Sequence, residues 1–420
     1  MSGPIEHDKL RLINSSIHKL ATGFYKVLVD GEKGNFMFSP ASVSITLSML
    51  TFGARGNTEN QLRSVLHLPA DDTLTTDGIR LLVDKLNWKN IKFLRITRLR
   101  EIFLIASGVQ FLIWNLYRWN YIGPQNIKKE KLNLANKIFT AEGLEVKSEF
   151  RAIINSLFKS EVESVDFTKL DESSRIINVW CETQTEGCIK DVVQPNDVQD
   201  ASLILVNAIH FKGKWVKPFE KAFTGSQKFS ISETATKEVS MMWIDDYFNC
   251  GDLPDLDAQY VELPFQSENE DDAISMYIIV PDKMTGWQKV EANLDKIYFQ
   301  ELNGPPERLK LGVPRFQVES KFELEPVLSK MGMKMPFSDT ADFTGITDAP
   351  PLKISKVIQK VLIEVNEEGT EAGTVTHVNA MPMCPPPSFV FDKPFLCALV
   401  VKSTGTPILI AKVIDPSATP

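Results

Sequence analysis

A segment of 25 residues, from Glu367 to Phe391, constrains the fold most strongly. Strongly apolar strands are predicted on either side of it, over Val361–Val365 and Phe395–Val401. The segment itself shows no helical repeat, and it is too long to be a short turn. Connections of this length inside a compact domain are uncommon, and they are usually functional or disordered. The segment is therefore the first place to look for function.

The segment also carries a strand pattern. Period-two alternation is typical of a strand with one face in a core, and Thr and Val favour strands. Every second residue from Thr370 to Ala380 is small or β-branched and uncharged, while the residues between them are bulkier and more polar. The alternating set is Thr370, Ala372, Thr374, Thr376, Val378 and Ala380. Two interpretations remain open: a plain edge strand, or a loop that can become a strand.

Motifs at both ends of the segment point to a family. Glu367-Glu368-Gly369-Thr370-Glu371-Ala372 precedes the alternating run, and Phe391-Asp392-Lys393-Pro394-Phe395 follows it. Further motifs are Phe38-Ser39-Pro40, Gly53 to Thr58, Asn178-x-Trp180, Thr185-x-Gly187, Leu205 to Ala208, Phe211 to Trp215, Val313 to Phe316, Leu328 to Met333 and Ala341-Asp342-Phe343. Together, in this order over nearly the whole chain, they resemble the serpin family of serine protease inhibitors.

The resemblance implies an α+β fold. The expectation is a single serpin-like domain over 1–420, with three β-sheets, eight to nine helices and an exposed reactive loop, the hinge and loop covering 367–391. Length alone would suggest two or three domains for 420 residues. However, no linker rich in Gly, Ser or Pro divides the chain.

The resemblance also implies a suicide mechanism of protease inhibition. Spacing to both ends of the segment places the bond that the protease attacks at Met383–Cys384. After attack on the Met383 carbonyl, the cut segment would insert as a new strand while still bound to the protease as an acyl-enzyme. The hinge of this movement would comprise Glu368, Gly369, Thr370, Glu371 and Ala372. An unbranched apolar Met383 suits the primary pocket of chymotrypsin-like or elastase-like serine proteases.

Five more residues are implied as control points. By resemblance, Ser39, Ser42, Asn207 and Gln359 belong to the shutter, the region beneath the part of the central sheet that opens. Trp215 resembles the tryptophan of the breach, where insertion begins, although a plain core aromatic is the alternative. The family usually has a histidine where this chain has Gln359. Because glutamine does not titrate near neutral pH, we expect opening to depend little on pH.

Residues 88–131 differ in composition from the rest of the chain. They hold nine Lys and Arg against two acidic residues, so this segment carries +7 while the remainder carries −15 of the net −8. They also hold three of the seven Trp. The family pattern does not require this insertion. It could be an interfacial membrane anchor, a basic patch for a polyanion, or translated sequence from a retained intron or faulty gene model.

Composition excludes several classes of function. A net charge of −8 and a pI near 5.4 disfavour a nucleic-acid binder. Five unevenly spaced cysteines do not form a disulfide framework, and no cofactor or metal is expected. The N-terminus lacks the pattern of a signal peptide, which predicts a cytoplasmic protein as written, whereas family membership predicts an extracellular one. A monomer without membrane attachment is expected.

Two rival functions were weighed against inhibition. One is a serpin-fold carrier, chaperone or storage protein that no longer inhibits; the small uncharged Thr370 and Ala372 argue against it, and Val375 leaves room for it. The other is an enzyme. The five histidines show no nucleophile–base or metal spacing, and no phosphate-binding glycine loop occurs, so an enzyme is not expected.

Overall fold

The computed structural model describes residues 4–86, 131–267, 269, 273–349, 351–369 and 386–418. Lys131 begins a strand, and the remainder of the predicted insertion, 88–130, lies outside the described residues. The same holds for 370–385, which includes the predicted reactive bond Met383–Cys384 and the hinge residues Thr370, Glu371 and Ala372.

Eight α-helices occur within the described residues. They are α1 (Pro4–Val29), α2 (Pro40–Thr51), α3 (Gly56–Val65), α4 (72–86), α5 (Ser148–Phe158), α6 (Leu170–Gln184), α7 (Trp287–Ala292) and α8 (Glu325–Lys330). Helix α2 is buried along its whole length, so it has no solvent-exposed face and is not an amphipathic surface helix. Its start is fixed by Ser39 as N-cap and by Pro40 in the first turn.

Fourteen strands occur in the same residues. They are β1 (Phe36–Phe38), β2 (Lys131–Ala141), β3 (Val162–Val165), β4 (Leu203–Lys212), β5 (Gly225–Ser230), β6 (Thr236–Leu253), β7 (Ala258–Pro264), β8 (Ile274–Pro281), β9 (Pro306–Pro314), β10 (Phe316–Glu323), β11 (Lys356–Val365), β12 (Ser388–Val390), β13 (Phe395–Val401) and β14 (Thr406–Val413).

The strands form three sheets. A five-stranded sheet has the order β10-β11-β4-β2-β3. A large sheet has the order β1-β14-β13-β8-β7-β6, and a small sheet holds β5, β6, β9 and β12. The last two sheets share β6, whose first part pairs with β5 and β9 and whose end pairs with β7. Three sheets and eight helices confirm the predicted α+β serpin-like fold.

The five-stranded sheet lies between two hydrophobic clusters. Its inner face joins the main core, which includes α1, α2 and both other sheets. Its outer face is covered by α6 and the chain after it, which form a second cluster. Strand β4 therefore buries side chains on both faces, which explains its mostly apolar sequence. Within the described residues, no helix is long and apolar enough to cross a membrane.

Candidate functional site

The boundary between β11 and β4, called the seam below, is the centre of the candidate site. The two strands pair in parallel over seven positions, from Lys356 opposite Ile204 to Leu362 opposite His210. On either side of the seam the next pairs, β10–β11 and β4–β2, are antiparallel. The seam is thus a parallel pair flanked by antiparallel ones, and parallel pairing is slightly less stable per residue.

The hinge begins where β11 ends. We call this end of the seam, where Leu362 lies opposite His210, its upper end. Asn366 and Gly369 close a tight turn in which each backbone N–H donates to the carbonyl of the other, at 2.9 and 3.2 Å. Gly369 has φ +121°, and a Cβ there would lie 2.1 Å from the carbonyl oxygen of Gly213. Only glycine fits this close backbone approach. The Gly369 predicted from sequence is therefore required both by its backbone angle and by its neighbour.

Glu367 anchors the hinge through its carboxylate, which is only 2% exposed. Thr224 Oγ1 donates to one carboxylate oxygen at 2.6 Å, and Arg315 Nε donates to the other at 2.8 Å. Burial opposes ionisation of Glu367, but these hydrogen bonds outweigh it, so the pKa of the carboxyl lies below its usual value. The ionised Glu367 carboxylate thus joins the hinge to Thr224, directly before β5, and to Arg315, between β9 and β10.

Trp215 lies buried beside the same turn. Its backbone N–H donates to the Glu368 carbonyl at 3.0 Å, and its indole Nε1–H donates to the Asn366 carbonyl at 3.0 Å. The indole stacks on Phe265 with ring centroids 4.3 Å apart. Lys221 pairs with the Glu368 carboxylate at 2.7 Å. Trp215 is therefore both a core aromatic and a direct hydrogen-bond partner of the hinge.

A row of amides crosses the five-stranded sheet halfway along the seam. Gln359 lies opposite Asn207 across the seam, and Asn207 lies opposite Asn136 on β2. Gln359 Nε2 donates to Asn207 Oδ1 at 2.8 Å. Asn207 Nδ2 lies within hydrogen-bond distance of Asn136 Oδ1, Ser42 Oγ and Thr46 Oγ1, and its two hydrogens serve two of these acceptors. All of these groups are uncharged.

The start of α2 bridges the seam beneath this row. Gln359 Oε1 accepts from the Ser39 backbone N–H at 2.9 Å, and Gln359 Nε2 also lies 3.3 Å from the Ser39 carbonyl. One turn along α2, Ser42 Oγ donates to Asn136 Oδ1 at 2.9 Å. Thus β11 is bound to Ser39, and β4 and β2 are bound to Ser42 and Thr46. Strands β11 and β4 cannot move apart without breaking one of these sets.

Helix α6 crosses the other face of the seam. Its cluster takes side chains from both sides, with Ile358 from β11 and Ile204 and Val206 from β4. Cys181 of α6 is fully buried in this cluster, and burial raises the pKa of its thiol to about 12. Lys360 Nζ donates to the carbonyl of Lys190, in the chain that follows α6, at 2.7 Å. Like the amide network on the inner face, this outer layer contacts both strands of the seam.

The structure places the described site residues that were predicted from sequence in two groups. Ser39, Ser42, Asn207 and Gln359 form one hydrogen-bonded network, and Trp215 contacts the hinge instead. Glu368 and Gly369 lie directly above the seam, while the rest of the predicted hinge and the reactive bond lie outside the described residues. The roles assigned to all of these residues stay predictions.

Sequence reasoning missed several participants. Asn136 and Thr46 complete the amide network, and Arg315 and Thr224 hold Glu367. Arg315 stands inside the Val313 to Phe316 motif, so that motif could have drawn attention to it. Asn136, by contrast, is recognised only from its register opposite Asn207. Among the described residues, no group of three His, Cys, Asp or Glu is placed to hold a metal ion.

The sequence is similar to known proteins over most of its length. Residues 15–416 match the family model described as Serpin (serine protease inhibitor). The chain is 33% identical to the leukocyte elastase inhibitor of Sus scrofa over 392 residues, covering 90% of this chain and 92% of that protein. The bovine leukocyte elastase inhibitor, from Bos taurus, is 31% identical over 405 residues, covering 94% of this chain and 96% of the relative.

Solved structures show the same fold. Serpin48 of Tenebrio molitor superposes with a TM-score of 0.77 at 26% identity, covering 96% of this chain and 98% of that one. Human thyroxine-binding globulin, in complex with its ligand, gives a TM-score of 0.78 at 24% identity, covering 98% and 100%. The last likeness concerns the fold alone. With a family model that spans most of the sequence and relatives above 30% identity, the chain belongs to the serpin family.

Proposed function

We propose that this protein is a suicide-type inhibitor of chymotrypsin-like or elastase-like serine endopeptidases, trapping the protease as an acyl-enzyme after attack at Met383–Cys384. The observation that carries the proposal is the seam, a parallel pair in the middle of the sheet with the hinge at its upper end. A strand that follows β11 through a turn runs antiparallel to β11. Because β4 is parallel to β11, such a strand would also run antiparallel to β4.

Insertion would therefore exchange one parallel pair for two antiparallel pairs, which are slightly more stable per residue. The lengths also agree. The alternating run over 370–380 has eleven residues, and β4 and β11 have ten each. Each new ladder hydrogen bond contributes about 1 kcal/mol net. Burial of the small alternating side chains adds to this stabilisation. The gain would hold the covalently attached protease in a distorted state before water can release it.

The proposed target class rests on Met383. A flexible, unbranched thioether fills a medium or deep apolar pocket, while trypsin-like pockets require a cation. Two relatives named as leukocyte elastase inhibitors are consistent with this choice. Lysine or arginine at the position of Met383 would redirect the inhibitor toward trypsin-like enzymes, so M383R is a matched variant for specificity.

The test is to mix the protein with chymotrypsin or pancreatic elastase and look for an adduct that survives denaturation. We expect the adduct with at least one of the two enzymes. T370R should convert the inhibitor into a substrate, since a charged side chain at the first inserting position opposes burial. The expected readout for T370R is cleavage with at least about tenfold less adduct, because a cost of 1.4 kcal/mol already shifts partitioning tenfold.

M383R serves as the control for the hinge variant. It should lose reaction with chymotrypsin and elastase but form an adduct with trypsin, because its hinge is unchanged. Cleavage of the wild-type protein without any adduct would contradict inhibition and favour the carrier, chaperone or storage alternative. Equal adduct yields from wild type and T370R would contradict the insertion step alone.

A further inference from the structure

The segment between the turn over Phe299–Glu301 and strand β9 contains a chemically labile pair of residues. Asn303-Gly304 is the single Asn-Gly dipeptide in the 420 residues. An asparagine followed by glycine is especially prone to deamidation, because glycine has no side chain to hinder attack by its backbone nitrogen on the asparagine amide. Asn303 is exposed, so water reaches its side chain. The dipeptide is therefore a candidate site of spontaneous modification.

The modification would change the main chain as well as the side chain. The Gly304 backbone nitrogen attacks Cγ of Asn303, so that a new C–N bond forms and the bond from Cγ to Nδ2 breaks. Nδ2 leaves as ammonia and takes the proton that the Gly304 nitrogen loses. Water then opens the cyclic imide at either carbonyl, which gives aspartate or isoaspartate. In isoaspartate the side-chain methylene becomes part of the main chain.

The fold engages the attacking nitrogen. The Gly304 N–H donates to the hydroxyl oxygen of Tyr260, on β7, at 2.8 Å. Tyr260 is only 4% exposed, so this acceptor belongs to the folded sheet. Attack on Asn303 requires the Gly304 nitrogen to lose its proton. A proton held in the bond to Tyr260 therefore makes the nitrogen a poorer nucleophile.

The asparagine is held as well. Asn303 Nδ2 donates to the Gln300 carbonyl at 2.7 Å, and the Asn303 backbone N–H donates to the Glu301 carbonyl at 2.9 Å. These bonds tie both the side chain and the backbone of Asn303 to the preceding turn. Closure of the ring turns Cγ toward the Gly304 nitrogen, and so competes with the bond to Gln300.

Gly304 is also packed closely against the end of β6. A Cβ added at Gly304 would overlap the carbonyl oxygen of Cys250 and would lie 2.8 Å from the Tyr260 hydroxyl. The backbone here approaches its neighbours more closely than a residue with a side chain allows. The imide and isoaspartate both alter the backbone at this place, so neither fits unless 303–304 moves away from β6.

We propose that Asn303-Gly304 is a deamidation site that the fold protects, and that Tyr260 sets its rate. The reaction proceeds from a locally opened state in which 302–305 has left β6 and β7. It is irreversible, and the isoaspartate form no longer places Gly304 against Cys250. Deamidation thus records how often this segment opens. The proposal is independent of protease inhibition.

The test incubates the full-length protein at pH 8 and follows aspartate and isoaspartate at position 303 by peptide mapping with mass spectrometry. In urea that unfolds the chain, conversion should be at least about tenfold faster than in the native protein. Y260F removes the acceptor of the Gly304 N–H and should speed native conversion by about fivefold, the usual weight of one hydrogen bond. Once unfolded, Y260F and the wild type should convert at equal rates.

The control variant Y247F changes an exposed tyrosine on β6 and should convert at the wild-type rate. Amide hydrogen exchange separates local from global effects: Y260F should speed exchange at Gly304 but leave β13 unchanged. Equal rates for native and unfolded wild type would overturn the protection. Equal native rates for Y260F and the wild type, or faster exchange over the whole chain of Y260F, would overturn the role of Tyr260. A wild-type chain that does not convert even when unfolded would overturn the site itself.

Discussion

The upper end and the middle of the seam are held together by different chemistry. At the upper end, the buried Glu367 carboxylate contacts Arg315 and Thr224, and Trp215 donates two hydrogen bonds to hinge carbonyls. Halfway down, Gln359 and Asn207 meet through neutral amides. The first region is charged and aromatic, and the second carries no charge that can change near neutral pH.

In the proposed inhibitor, this difference would separate the hold on the hinge before attack from the opening of the seam after it. Buried ionic contacts lose much stability when one partner is removed, so the upper end makes accidental release of the hinge costly. Neutral amides can exchange partners without leaving an unpaired charge. Under the proposed mechanism, the middle of the seam could therefore separate once the hinge has moved. Four variants of this chain test the contrast.

The largest effect is expected from E367K at the upper end of the seam. A lysine would place a second cation beside Arg315 in a site where the side chain is 2% exposed. We expect a loss of about 3 kcal/mol in the free energy of unfolding, because the lysine would be a buried charge without a partner. Urea unfolding at pH 7 measures it.

The matched control for E367K is E364K. Glu364 lies on the same strand and is exposed, so its reversal should change the free energy of unfolding by less than about 0.5 kcal/mol. A loss below about 1 kcal/mol in E367K, comparable with that in E364K, would show that the contact between Glu367 and Arg315 does not hold the hinge.

A smaller effect is expected from Q359L in the middle of the seam. Leucine fills a similar volume but leaves the Ser39 N–H and Asn207 Oδ1 without their partner. The expected loss is about 2 kcal/mol, the cost of an unsatisfied buried polar group. Differential scanning calorimetry measures this loss, with Q317L, a partly exposed glutamine on β10, as the neutral control. Equal melting temperatures for Q359L and the wild type would refute the role of the amide row.

The smallest effect concerns acid. The pKa of Glu367 is lower in the folded protein than in the unfolded chain, so between the two values the unfolded chain binds more protons. The stability that Glu367 contributes is present above pH 4.5 and is lost as the pH falls through the folded value. E367Q should therefore show a shallower loss of stability than the wild type below pH 4.5, measured by urea unfolding from pH 6 to pH 3.

The amide row makes the contrasting prediction for pH 6 to 8. No residue in the row titrates there, so the amide row should cause no change in the free energy of unfolding of the wild type between pH 6 and pH 8. Q359H would introduce one: a histidine buried at this position resists protonation, so stability should fall as pH drops below about 6.5. Identical pH profiles of Q359H and the wild type would show that position 359 does not sense protonation.

Much of the fold could be predicted because the serpin motifs fall in order and the strands are strongly apolar. Strand β13 has the predicted bounds, Phe395–Val401, while β11 begins earlier than the sequence pattern indicated, at Lys356. The start of α1 at Pro4 could not be predicted, because polar residues near a helix N-terminus carry little hydrophobic periodicity. The interpretation of 88–131 stays a prediction.

The site was predictable only in part, since its contacts depend on register. The resemblance named Asn207 and Gln359, and their direct hydrogen bond agrees with a shared role. It could not name Asn136, whose place depends on how β2 pairs with β4 over a separation of 71 residues. Nor could composition show that Glu367 is buried. A glutamate in a hinge motif is expected to be exposed, and only the fold brings Thr224 and Arg315 to the Glu367 carboxylate.

The layer formed by α6 has a kinetic consequence. Its cluster contacts Ile358 on one side of the seam and Val206 on the other, with Cys181 sealed between helix and sheet. A strand added at the seam would move these two sides apart by about 4.8 Å. The helix cannot keep both contacts during that step. Its packing would therefore raise the activation barrier of the proposed insertion.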